Sequence, residues 1–214
     1  RILDYKKNPW NVIQWSAGTS SKGIRADLII IDDINQFKRL DSGSLRGKVV
    51  LTRLSPRSLL GILADSGAVG VISDQSVPNL TDAVAWTKFG WGSIPLSQAG
   101  SALVGFDVSE NDGKRLREKL RKYKKIDLLL RANINRHVGH HDVVSGIVRG
   151  ADDPQDEVWA IAHSNEPGAA DNASGVALTL EIARLLESLI SSGEIKRPRR
   201  SIRLVNAYEC YGFF

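Results

Sequence analysis

The sequence contains no methionine, and this absence bears on where the natural chain starts. Translation begins with methionine, so we expect residue 1, an arginine, not to be the natural start. The final residues, YECYGFF, lie inside a motif described below, so we also expect the natural chain to continue past them.

Cysteine and long apolar runs are scarce as well. Cys210 is the one cysteine, which excludes an internal disulfide and fits a reducing compartment or a secreted protein that needs no disulfides. No apolar run approaches the roughly 18 residues of a membrane-spanning helix, and no signal peptide is recognisable. The 214 residues, 42% hydrophobic and 25% charged, suffice for one large or two small globular domains.

Positive charge is concentrated in two places, although the net charge is only +5. KRLREKLRKYKK (114–125) holds eight basic residues and one acidic residue, and KRPRRSIR (196–203) holds five basic residues. Such runs can bind nucleic acid or an acidic surface, but they are also typical of a solvated helix face and a charged loop. No aromatic ladder or nucleic-acid motif accompanies them, so we expect no specific nucleic-acid partner.

The first part of the chain alternates short apolar runs with helical patterns. ADLIIIDDI, GKVVLTR, AVGVISD and IDLLLRANI are predicted strands, and SPRSLLGILADSG and SENDGKRLREKLRK are predicted helices. Ser55 and Ser109 stand at the expected helix starts, and Gly67 at the end of the first helix. Residues 76–95, which contain Trp86 and Trp91, predict a loop, either a lid or a segment anchored by its tryptophans.

The polar stretch RHVGHHD (136–142) separates this part from the rest. We therefore expect domains at 1–138 and 139–214, with His137, His140 and His141 as solvated or hinge residues. DVVSGIVRG, EVWAIAH and SIRLVNA are predicted strands, and NASGVALTLEIARLLESLI is a predicted helix. EVWAIAH is almost wholly apolar, which is typical of a strand covered on both faces.

Ionisable residues follow the ends of two of these strands. His163 ends EVWAIAH, Glu209 follows SIRLVNA, and Asp171 lies in the loop before the long helix. Ligands of open α/β sheets bind at the carboxyl ends of strands, and imidazole and carboxylate are good zinc ligands. The alternatives are a histidine that makes ordinary hydrogen bonds, and Asp171 or Asn172 as a helix cap.

The stretch AHSNEPGAADNASG and the later RPRRSIRLVNAYE resemble the co-catalytic zinc aminopeptidase family. This family includes bacterial leucyl aminopeptidase, aminopeptidase Y and glutamate carboxypeptidase, and the resemblance covers about 142–214. Residues 1–135, with GKVVL, SGAVGVI and VSENDGKRL, resemble the protease-associated domain that such enzymes carry as an insertion. The fold implied is α/β: a protease-associated-type domain, then the first part of a three-layer αβα zinc-exopeptidase domain with a mixed sheet, its C-terminal remainder absent.

The resemblance also implies roles for the ionisable residues. His163 corresponds to a zinc ligand, Asp171 to the carboxylate that bridges two zinc ions, and Glu209 to the general base. The implied reaction is hydrolysis of an N-terminal peptide bond by a metal-bound hydroxide, with one or two zinc ions and a peptide substrate. No membrane span is expected, and oligomerisation remains open.

The sequence departs from the family pattern at two positions. Asn165 stands where the family has an aspartate that supports the histidine, and its amide could still accept a bond from the ring N–H. Cys210 stands where the family has a second glutamate ligand, so it is either a thiolate ligand or a small buried residue. Asn172, with Ser174, is expected to bond the free amides at the start of the helix.

These departures leave other hypotheses open. Glu209 could itself be a ligand of a single metal ion. The chain could be a catalytically degenerate homologue that binds peptide or a partner without cleaving it. Cyclisation of N-terminal glutamine on the same scaffold is a further alternative, because fold does not determine function.

Overall fold

The structure, a computed structural model, describes residues 2–90, 103–166 and 168–209. Contacts between residues divide the chain into two compact units, Arg1–His137 and Val138–Phe214, which we call unit 1 and unit 2. Among the described residues, no helix has the length and apolar character needed to cross a membrane.

Unit 1 contains a mixed sheet with helices packed on it. Its elements are a 3₁₀ turn at Pro9–Asn11, β1 (Ile24–Ile30), α1 (Ile34–Lys38), β2 (Lys48–Thr52), α2 (Pro56–Asp65), β3 (Gly70–Ser73), β4 (Val104–Asp107), α3 (Glu110–Tyr123) and β5 (Asp127–Leu130). The strand order is β4-β3-β2-β1-β5, with β1 to β4 parallel and β5 antiparallel to β1.

Strand β2 shows why the central strands read as continuous apolar runs. Successive side chains of a strand point to opposite faces. Val50 packs in the cluster that contains Leu59 and Leu63 of α2, whereas Val49 and Leu51 pack in the cluster that contains Leu116 of α3. Both faces are therefore covered, as expected for parallel strands between helices.

The predicted helix starts differ in how they are capped. The Ser109 hydroxyl lies 3.2 Å from the backbone nitrogen of Asp112 and accepts its hydrogen bond, as an N-cap should. Ser55 occupies the N-cap position of α2, so the predicted helix start is confirmed, but its side chain makes no capping hydrogen bond. Pro56, which has no N–H to satisfy, follows Ser55 and makes the cap less necessary.

The loop after β3 is fixed to unit 1 by an aromatic contact and by hydrogen bonds. The Trp86 ring packs edge-on against Trp10, with 5.6 Å between ring centroids, which is the anchored alternative of the two predicted for this tryptophan. The buried Asp107 carboxylate at the end of β4 accepts bonds from the backbone N–H and the hydroxyl of Thr87, both at 2.7 Å. Trp91 lies outside the described residues.

The basic run at 114–125 lies mainly on α3. Half of its eight basic residues form ion pairs within unit 1: Lys114 with Glu110, Arg115 with Asp112, Arg117 with Asp32 and Asp74, and Lys125 with Asp27. The buried Arg117 donates two bonds to the fully buried Asp74, at 2.7 and 2.9 Å. This guanidinium neutralises a carboxylate that the core would otherwise hold uncompensated.

Unit 2 contains a second mixed sheet and the longest helix. Its elements are β6 (Val144–Val148), β7 (Asp153–His163), α4 (Ala173–Ser191) and β8 (Arg200–Ala207). Strand β8 lies between the other two, parallel to β7 and antiparallel to β6. With two mixed sheets and helices between strands, the predicted α/β class with a mixed sheet is confirmed.

Strand β7 departs from its sequence prediction in two respects. It begins at Asp153, four residues before the predicted strand EVWAIAH, and its register shifts between Asp153 and Glu157. The side chains expected to be covered on both faces are about half exposed: Val158 at 54%, Trp159 at 55% and Ile161 at 50%. The prediction of two covered faces is wrong for the described residues, because α4 is the helix described in unit 2 and one helix can cover only one face of its sheet.

Candidate metal centre

The ends of β7 and β8 place the residues that follow them side by side. The strands are parallel and His163 is in register with Ala207, so both chains leave the sheet at the same edge. The Ser164 N–H donates to the Ala207 carbonyl at 2.9 Å, and the Glu209 N–H donates to the Asn165 side-chain oxygen at 2.9 Å. The backbone of Glu209 is therefore held beside the loop that starts at His163.

Asp171 faces His163 across this loop. The Asp171 Oδ1 atom lies 3.2 Å from His163 Nε2. The imidazole is largely buried, with 19% of its side chain exposed, whereas the Asp171 side chain is 73% exposed. Glu166 joins them: one potential ligand atom from each of the three side chains lies within 4.8 Å of the other two.

Backbone carbonyls, rather than side chains, satisfy the amides at the start of α4. The Ala173 N–H donates to the Gly168 carbonyl at 3.0 Å, and the Ser174 N–H donates to the Ala169 carbonyl at 2.9 Å. Asn172 occupies the N-cap position without a capping hydrogen bond from its side chain, so the expected role of Asn172 is wrong. Since the loop itself supplies the acceptors, the Asp171 carboxylate is not used as a cap and remains directed to His163.

Gly168 is required for this loop to close. A Cβ atom on Gly168 would lie 2.7 Å from the Asp171 carbonyl oxygen, closer than real Cβ atoms approach backbone. Gly168 also forms a bridge with Asn172, which folds the loop back on itself. The glycine in PGAADNASG thus permits the close approach that brings Asp171 towards the end of β7.

The support expected for the histidine takes a different form in the structure. Asn165 was expected to accept from the ring N–H of His163, but its side-chain oxygen accepts from the Glu209 backbone instead. His163 Nδ1 is buried and has no hydrogen-bond partner among the described residues. Asn165 therefore positions the chain at Glu209, and this bond connects the ends of the two parallel strands.

Three further residues bear on the candidate site: Cys210, His141 and Glu166. Cys210 lies outside the described residues. His141 is exposed, as predicted, and its ring packs against that of Tyr208, the residue before Glu209, with 3.9 Å between ring centroids. Glu166 was not assigned a role from the sequence, although its position three residues after His163, before a Pro-Gly turn, was an available signal.

The three clustered side chains suit a divalent metal ion. A neutral imidazole and two carboxylates provide one nitrogen and at least two oxygen donors, a set that zinc accepts in catalytic sites with room left for water. Two zinc ligands about 2.1 Å from the ion at a tetrahedral angle are about 3.4 Å apart, close to the separation of His163 Nε2 and Asp171 Oδ1. The donor types and their spacing therefore fit the metal that the sequence implies.

Comparison with known proteins finds one family model that resembles unit 2. Residues 137–208 match the model of Peptidase family M28. The match covers about a third of the chain and includes His163, Glu166 and Asp171. No curated protein matches the chain significantly.

Two solved structures share the fold. The peptidase M28 precursor from Shewanella amazonensis SB2B has 20% identity and a TM-score of 0.60, over 91% of this chain and 47% of its own. The aminopeptidase from Aneurinibacillus sp. strain AM-1 has 22% identity and a TM-score of 0.51, over 91% of this chain and 45% of its own. The chain thus spans about half the length of each.

Proposed function

We propose that this chain carries the first part of the catalytic domain of a metal-dependent exopeptidase that removes an N-terminal residue from a peptide. The pairing of His163 with Asp171, together with the bond that holds the Glu209 backbone beside their loop, carries this proposal. The M28 match, which includes His163 and Asp171 and ends at residue 208, supports hydrolysis of a peptide bond. Unit 1 is proposed to be the protease-associated domain, since its sheet and helices fit that type of insert.

The proposed roles follow from position and chemistry. His163 and Asp171 would hold the zinc, which is either one ion or two. When bound, zinc polarises the scissile carbonyl and lowers the pKa of water. Glu209 takes the proton from the attacking water and delivers it to the leaving amine. Asn165 holds the Glu209 backbone, which limits the positions that the carboxylate can take.

The alternative of a degenerate binding homologue has one observation in its favour. Histidines that bind zinc usually donate their second ring N–H to a carboxylate or carbonyl, which fixes the ring and strengthens the ligand. His163 Nδ1 has no such partner among the described residues. Under this alternative, the loop between His163 and Asp171 binds a peptide or a partner protein without cleaving it.

Peptide hydrolysis with a metal assay on the same sample separates the two. The natural full-length protein, supplied with Zn²⁺ or Co²⁺, is incubated with peptides that have free or acetylated N-termini, and the products are identified by mass spectrometry. We expect one-residue shortening of the free peptides only. Glu209→Gln should reduce this rate by about 10²–10⁴-fold with metal content unchanged, the usual contribution of a general base.

Two outcomes would count against the proposal. A chain that holds metal but shortens none of a broad panel of peptides supports the binding homologue. Loss of metal in Glu209→Gln makes Glu209 a ligand and removes it from the role of base.

A further inference from the structure

We infer that Glu166 is a third ligand of the metal ion, supplied by the short loop between His163 and Asp171. This inference rests on the proposed function only in that a metal is held by those two residues. It assigns a role to a residue that neither the motif nor the resemblance marked.

The geometry of the loop brings Glu166 to the other two side chains. Residues 164–166 follow the end of β7 and residues 168–171 precede α4, with Gly168 bridged to Asn172. The potential ligand atoms of His163, Glu166 and Asp171 lie within 4.8 Å of one another, so a single ion could reach all three after a small contraction. Ligands of one zinc ion are at most about 4.2 Å apart, twice the ligand distance.

The electrostatics favour a cation at the same point. Two ionised carboxylates within 4.8 Å of each other repel, and the repulsion is stronger near a protein surface than in bulk water. A divalent ion between them replaces this repulsion with two attractions. The His163 Nε2 atom, which faces Asp171 Oδ1 at 3.2 Å, adds a neutral donor to the same space.

A third ligand from this loop changes the role expected of the residues after β8. His163, Glu166 and Asp171 all come from residues 163–171, so they can bind one ion without a contribution from Glu209 or Cys210. Glu209 is then free to act as base.

A cobalt titration of the full chain tests the ligand assignment without depending on activity. Co²⁺ is added to metal-free protein, and binding is followed by the visible d–d absorption and by calorimetry. We expect one Co²⁺ per chain with high affinity. Glu166→Gln should weaken binding at least tenfold and change the absorption band, because one charged oxygen ligand is lost. Circular dichroism of each variant verifies that it is folded.

Three comparison variants make the outcome specific. Asp171→Asn should weaken binding at least as much as Glu166→Gln, whereas Glu209→Gln and Glu187→Gln, a control on the far part of α4, should bind as the wild type does. Wild-type affinity and spectrum in Glu166→Gln, with binding lost in Asp171→Asn, would overturn the role of Glu166 and leave the proposed metal site standing. A wild-type chain that binds no Co²⁺ or Zn²⁺ would overturn both.

Discussion

The pH dependence of folding provides a test of the buried carboxyl in unit 1. Asp107 is only 1% exposed, and burial raises its pKa from 3.8 to about 6, against the opposing effect of hydrogen bonds from Thr87 and Ser73. A difference of 2.2 pKa units corresponds to about 3 kcal/mol of folding free energy. The perturbation is Asp107→Asn, which keeps the shape and one acceptor oxygen but cannot ionise.

The sign follows from which state binds the proton more tightly. The folded state has the higher pKa, so the folded state binds more protons between pH 3.8 and about 6. The contribution of Asp107 to stability is therefore complete below pH 3.8 and is lost as the pH rises through about 6. The stability of Asp107→Asn relative to the wild type should rise with pH, by about 2 kcal/mol between about pH 4.5 and 7.5.

Urea denaturation at several pH values measures this difference. Tryptophan fluorescence reports largely on unit 1, where Trp10, Trp15 and Trp86 lie. Comparing variant with wild type at each pH cancels the groups that titrate equally in both. Asp65→Asn, an exposed position on α2, is the matched control and should change stability by no more than about 0.5 kcal/mol. A free-energy difference for Asp107→Asn that stays flat from pH 4.5 to 7.5 would refute the reasoning.

Three further predictions concern single contacts. Asn165→Ala should lower turnover about 10–100-fold with metal affinity unchanged, because its partner is the Glu209 backbone; lost metal affinity in a Co²⁺ titration would mean that it supports His163 instead. Arg117→Leu should destabilise unit 1 by about 3–5 kcal/mol in urea denaturation, because the buried Asp74 loses its cation, and a change below about 1 kcal/mol would contradict this. Thr179→Val should cost about 1–3 kcal/mol in thermal unfolding of unit 2, because its hydroxyl lies 3.1 Å from the Asn206 side-chain oxygen in the core; an unchanged transition would count against that contact.

Local patterns predicted four of the five strands and two of the three α-helices described in unit 1, because their burial follows from short-range periodicity, but they missed β4 and α1. The apolar run at β2 is buried on both faces, and Ser109 caps α3 as its position indicated. The Ser55 hydroxyl makes no capping hydrogen bond, because the position of a serine at a helix start does not determine whether its hydroxyl reaches a backbone amide. The predicted burial of β7 is wrong for a different reason. An apolar strand can be covered only by elements that pack on it, and the described residues supply few of them.

The candidate site shows a similar division. His163 and Asp171 could be singled out because their residue types and the glycine between them carry chemical and geometric information. The hydrogen bond that the Asn165 side chain accepts could not be predicted. Its donor is a backbone N–H 44 residues away, and the residue type at that position does not indicate the bond. Glu166 was passed over because the family pattern assigns no ligand to its position, although its side chain type and its distance from His163 along the chain permit that role.

The structure separates the groups that would hold a metal from the group that would move protons. The three potential ligands lie in residues 163–171, whereas Glu209 follows β8 and is connected to that loop through Asn165. Metal binding and proton transfer should therefore respond to different substitutions: changes in the loop should lower metal affinity, and changes at Glu209 or Asn165 should lower turnover at full occupancy. If substitution of Glu209 and of Glu166 weakened metal binding equally, both would be ligands, and the base would have to come from another residue.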